Sequence, residues 1–197
     1  MPSWVIDLIE IAATLFLVVL NGFFVAAEFA LVKVRPSRID ELIEVGRPFA
    51  KSARWLADRM EQTLSACQLG ITMASLALGR VGEPAFASLL TPVFHFVGVE
   101  TEAAIHTLSF IASFTTITAL HLVIGEQAPK IFAIRRPEDM LLWCALPLRS
   151  FYILSWPLMS ALNWVTSLVL SVVGLEADDG HGEVHTETEL QTMLATS

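Results

Sequence analysis

"AAIHTLSFIASFTTITALHLVIGEQAPK", residues 103–130, runs from Ala103 to Gly125 without a Lys, Arg, Asp or Glu and then meets Glu126, Pro129 and Lys130. A charge-free run of that length reads as a membrane-spanning helix. Charge-free runs also occupy residues 11–27, 62–79 and 150–175, and the first is prolonged past Glu28 by Phe29–Val32. With 54% apolar and 16% charged residues and a mean hydropathy of +0.63, the chain of 197 residues is expected to be an all-α membrane protein.

Charge and cysteine usage exclude several function classes. The net charge of −8 is concentrated at one end, because residues 176–197 hold six acidic residues and no Lys or Arg. The rest is nearly balanced, which excludes a nucleic-acid partner. Cys67 and Cys144 both lie in apolar sequence, so neither a disulfide framework nor a CxxC motif exists. "MPSWVIDLIE" (residues 1–10) begins acidic rather than basic, unlike a secretory signal. No Walker loop, GxGxxG, GxSxG or HExxH is present, so the chain is not expected to be an enzyme.

Three spans are expected, at about residues 4–32, 62–80 and 103–125. The connection at residues 33–61 carries seven Lys or Arg, whereas residues 80–102 carry Arg80 against Glu83, Glu100 and Glu102. The positive-inside rule then puts the N-terminus outside and the C-terminus in the cytoplasm, in a multi-pass protein of the bilayer. Pro147, Arg149 and Pro157 interrupt the fourth apolar stretch, which predicts broken juxtamembrane helices over about 138–175 rather than a fourth span. Trp143, Tyr152, Trp156 and Trp164 would anchor them at the interface. Residues 84–99 are too short to span and read as a packed outer segment. In the basic connection, Ser37 is the expected N-cap of an amphipathic helix, a break follows at Gly46–Pro48, and a second amphipathic helix begins. Thr186 and Glu189 form a capping box in the acidic tail.

The string Gly-Glu-x-x-Pro-Lys carries the chemistry. Pro129 has no N–H, so the Gly125 carbonyl four residues earlier loses its helical partner. Glycine leaves that carbonyl approachable, and the Glu126 carboxylate stands beside it. Oxygen ligands of this kind suit a hard cation such as magnesium, which keeps several waters and needs few protein groups. Asn21 in the first span, and Gln68, Thr72 and Ser75 on one face of the second, offer further oxygens, as do Ser113, Thr116 and His121 in the third. Each has a plainer reading: Glu126 as a solvated helix end, the hydroxyls as interhelical hydrogen bonds. Gly22, Ala26 and Ala30 form a small-residue ridge for helix packing, within a protomer or across a dimer. Glu28 is expected to pair with Lys33, Arg35 or a helix end, and Lys130 to reach the headgroups.

"LNGFFVAAEFALVKVRPSRIDELIEVG" (residues 20–46), "LSACQLGITMASLALGRVGEP" (64–84) and "GEQAPKIFAIRRPE" (125–138) together resemble the DUF21 transmembrane domain of the CNNM/CorC magnesium transporters. The resemblance covers roughly residues 5–175. It implies a homodimer of three-span protomers in the bacterial inner membrane, with a cytoplasmic helical belt and, after an acidic linker at 176–197, a CBS-pair domain. It also implies magnesium export coupled to sodium entry. Carried over by position, Gly125, Glu126 and Asn21 are the implied cation partners, and Pro129 and Lys130 complete the motif. Many members carry hydroxyls where this chain has Val25 and Ala27, and Gly-Asn-Asn where it has Gly70, Ile71 and Thr72. Thr72 or Gln68 would then substitute as ligands, or the domain serves as a non-transporting anchor or sensor.

Overall fold

The structure, a computed structural model, describes residues 3–97 and 101–173; the capping box at Thr186 and Glu189 and the acidic linker lie outside them. Every regular element among the described residues is helical: α1 (Ser3–Lys33), α2 (Pro36–Glu44), α3 (Ala50–Ala57), α4 (Met60–Phe96), α5 (Glu102–Leu120), a π-helical segment (His121–Gln127), α6 (Ala128–Arg135) and α7 (Pro137–Val173). Four helical stretches are long and apolar enough to cross a membrane: Val5–Lys33, Met60–Phe96, Glu102–Arg135 and Pro137–Val172. Of the described residues, those up to Trp156 form one compact unit, and residues 157–173 belong to a second.

Helix α1 is the centre of the first unit and packs on α4, on α6 and on the π segment. Small residues on α1 allow this: Gly22, Ala26, Ala27 and Ala30 are all buried. On α4 the matching concession is Gly70, where an added Cβ would fall 2.6 Å from the buried Phe24 ring. The ring itself packs at a tilt of 57° against Phe151 of α7, 4.7 Å between centroids. One core joins these elements to α2 and α3 through Ile39, Ala53 and Leu56, and to α7 through Leu141, Cys144 and Leu148.

The sequence boundaries need four corrections. Residues 84–96 are no separate outer segment: α4 continues through Pro84 and Pro92 for 37 residues. Its buried residues Gly70, Ala74, Leu78, Gly82 and Ala85 recur every three or four positions across that boundary, so one packed face holds the helix together despite the lost hydrogen bonds. The stretch at 138–175 is likewise not broken, since α7 is continuous over 37 residues and includes Pro147 and Pro157. Buried Cys144, Ala145 and Leu148 on either side of Pro147 hold that turn in the core. The third apolar helix does not stop at Gly125 but runs on through the π segment into α6. Finally, α2 starts two residues earlier than a Ser37 cap requires: Arg35 is the N-cap and makes no side-chain cap bond, with Pro36 in the first helical turn. Proline at that position needs no N–H and presets φ, so it displaces the serine.

The break between α2 and α3 falls where expected, with Gly46 at φ 74°. Arg38 bonds Glu138 at 2.8 Å and also pairs with Glu41, while Arg47 reaches Asp139 at 3.3 Å. These exposed pairs orient the first turn of α7 over α2, where its two acids also face the positive helix end. Further along α7, Arg149 lies 3.5 Å from the Ser52 hydroxyl and 4.9 Å from the Trp55 ring, and Tyr152 meets Trp55 edge-on at 5.2 Å.

Candidate cation site at the helix break

The missing N–H of Pro129 is accommodated by widening. Residues His121–Gln127 wind as a π-helix, whose larger turn relieves the clash of the proline ring with the preceding turn. The Gly125 carbonyl does not stay free. The Asn21 Nδ2 donates to it at 2.9 Å in a buried bond between α1 and the π segment. Sequence analysis places Asn21 at this site as a fellow oxygen ligand; that its amide donates to the carbonyl itself follows only from the packing of two helices far apart in the chain.

Contact at this crossing is close. A Cβ on Gly22 would fall 2.9 Å from Pro129 Cγ and 3.2 Å from the Ile124 carbonyl oxygen. A Cβ on Gly125 would fall 3.0 Å from His121 Cδ2 and 3.3 Å from the Val18 carbonyl oxygen. A Cβ on Gly22 forces a shift at Pro129, and one on Gly125 requires its neighbours to give by a few tenths of an ångström. Beside them, two buried side-chain atoms have no hydrogen-bond partner: Asn21 Oδ1 and His121 Nε2. An orphan oxygen in a core is costly unless something occupies it.

Glu126 follows Gly125 and is half-buried, with no ion pair among the described residues. Gln68 and Thr72 sit on an exposed part of α4, where the Thr72 hydroxyl donates to the Gln68 carbonyl at 2.8 Å. Ser75 similarly donates to the Thr72 carbonyl, and the buried Ser113 to that of Ser109. Thr116 is exposed. The crossing therefore brings together Asn21, Gly125 and Pro129, with Glu126 next in the chain, while Gln68 and Thr72 lie on an exposed part of α4. Lys130 places its Nζ 4.7 Å from the Phe29 ring centre rather than extending freely, and Glu28 forms no ion pair among the described residues.

Among the described residues no three of His, Cys, Asp or Glu cluster closely enough to hold a metal. A cation here would depend on amide and carbonyl oxygens, with Glu126 as its one carboxylate. Replacing Asn21 with alanine leaves the Gly125 carbonyl buried and unpaired, and is expected to cost about 1–3 kcal/mol. Unfolding in mixed micelles measures that loss.

A bundle of long apolar helices with an amide-clamped carbonyl at a helix break is the architecture of a multi-pass membrane domain. The chain belongs to the CNNM family: the family model described as "Cyclin M transmembrane N-terminal domain" matches residues 12–197. It is similar to the UPF0053 protein YhdT of Bacillus subtilis, 44% identical over 181 residues, which is 92% of this chain and 39% of that protein. It is also similar to YugS of the same organism, 40% identical over 190 residues, covering 96% of this chain and 44% of that protein. An uncharacterized mycobacterial protein, Rv1841c of Mycobacterium tuberculosis, is 35% identical over 183 residues, 93% of this chain and 52% of its own length. The chain thus spans about half or less of the relatives it matches.

Proposed function

We propose that this domain carries magnesium across a plasma membrane, exporting it in exchange for sodium. The observation that carries the reading is the buried Asn21–Gly125 bond with Asn21 Oδ1 left unpartnered. Carbonyl and amide oxygens with one carboxylate nearby are what a partly hydrated magnesium ion uses. Asn21 and Gly125 supply neutral oxygens, Glu126 supplies the charge, and Pro129 keeps the carbonyl out of the helical ladder. The π segment and the Gly22 contact are the places where helices can shift to open one side or the other. Chain-loaded liposomes holding magnesium should release it faster than empty ones, and faster again with sodium outside. Equal release from both would overturn the proposal.

A second reading has its own support. Val25 and Ala27 are 4% and 0% exposed, so the positions that carry hydroxyls in many resembling sequences are here apolar and packed. On that reading the helices anchor or sense for cytoplasmic CBS domains, without an enzymatic role and without flux. Magnesium protection against thermal unfolding with no flux would favour it.

The proposal includes three spans, α1, α4 and the α5-to-α6 rod, in a homodimer with N-terminus outside and C-terminus inside. The basic α2–α3 connection and the start of α7 then lie on the cytoplasmic side. Contacts of α7 support this. Glu138 and Asp139 reach Arg38 and Arg47, and about 20 Å further on Arg149 and Tyr152 reach α3. Both ends of that stretch touch the same charged layer, so it runs along the layer instead of crossing. A cysteine placed at the exposed Ser150 should react with an impermeant maleimide in inside-out vesicles and not in right-side-out ones. Protection from both sides would instead make this part of α7 a span.

A further inference from the structure

A cavity of about 370 Å³ opens between α4, α5 and the start of the π segment. Its walls are aromatic and aliphatic, Phe110 and Phe114 foremost, and its polar groups are Ser75, Glu83, Thr118 and His121. Read from sequence, Glu83 is a loop charge outside the bilayer. The continuation of α4 through Pro84 puts it on a helix wall instead.

Its depth follows from its neighbour. A Cβ on Gly82 would lie 3.2 Å from Thr14 Cγ2 and 3.1 Å from Ile117 Cδ1. Thr14 lies one turn past Glu10 in the apolar helix Val5–Lys33, so Glu83 sits toward the outer end of that helix, on the wall of a largely apolar cavity. A carboxylate among apolar walls favours a counter-ion. Among the described residues Glu83 has no ion pair. His121, another wall of the same cavity, has its Nε2 buried without a hydrogen-bond partner. An acyl chain filling the space would leave the Glu83 carboxylate unanswered.

We propose that this cavity is a second cation station, in which the Glu83 carboxylate holds a hydrated divalent cation through its water shell. Ser75, Thr118 and His121 take hydrogen bonds from or give them to those waters. Size permits this, because six waters at about 30 Å³ each occupy about 180 Å³, half of the space present. The station rests on the reading of the chain as a cation-carrying domain, yet it uses none of Asn21, Gly125 or Glu126. It supplies a stopping place between the outer face and the helix break.

Titration calorimetry of the purified chain with magnesium chloride tests it. The unmodified chain should show two sites per protomer. Glu83→Gln should retain one, with affinity at the other weakened at least about tenfold. Gly79→Leu should give the same result: a Cβ on Gly79 meets nothing within 4 Å, so the new side chain grows into the cavity without displacing backbone. Glu126→Gln should lose the other site and keep the Glu83 site. Two sites persisting in both Glu83→Gln and Gly79→Leu would overturn the inference, as would a single site in the unmodified chain abolished by Glu126→Gln. Two sites in Glu126→Gln with one in Glu83→Gln would uphold the inference and remove the helix-break site.

Discussion

Replacing Glu126 with alanine is expected to slow magnesium release from loaded liposomes at least about tenfold, with folding unchanged. The magnitude reflects the loss of the only carboxylate in a set otherwise made of neutral oxygens, where a factor of ten corresponds to about 1.4 kcal/mol of lost stabilisation. Stability should not suffer, because a half-buried charge with no ion pair among the described residues adds nothing by pairing. Glu126→Asp, which keeps the charge on a shorter arm, should recover part of the rate. Release at the unmodified rate by folded Glu126→Ala protein would remove this residue from the site.

Gly22→Leu should destabilise the membrane core by about 3 kcal/mol, read as an earlier unfolding midpoint in mixed micelles. Overpacking of a close-packed interior typically costs 1–3 kcal/mol, and here the clash includes backbone, which cannot rotate away. The added Cβ alone meets Pro129 Cγ at 2.9 Å and the Ile124 carbonyl at 3.2 Å. A double-mutant cycle locates the strain. Gly22→Ala and Pro129→Ala together should cost about 1 kcal/mol less than their sum, since removing the proline Cγ vacates the space that the alanine needs. Strict additivity would show that the two residues do not meet in the membrane.

How much of this was legible in advance depended on whether the determining interaction was local. The charge-free stretch ending at Gly125 announced a membrane helix, and the proline four residues later announced a carbonyl without its usual partner, because both follow from neighbouring residues. That Asn21 would take that carbonyl was not legible, since the bond joins separate helices. Nor was the π winding, which depends on how the chain redistributes the space around a proline ring. Pro147 misled for the same reason in reverse: it reads locally as a helix terminator, but tertiary packing around α7 holds the turn in place. The apolar run at 84–99, too short to span by itself, hid the continuation of α4, and Glu83 was misplaced as a consequence. The spacing Gly70, Ala74, Leu78, Gly82, Ala85, continuing past Arg80, was the signal that α4 did not stop there.

Both sulfhydryl groups of the chain, at Cys67 and Cys144, are fully enclosed in the core, at 0% exposure each. The natural chain is therefore already a silent background for thiol reagents. Reporter sulfurs can be introduced one at a time at surface positions without first hollowing out two core sites, and any adduct then belongs to the introduced residue.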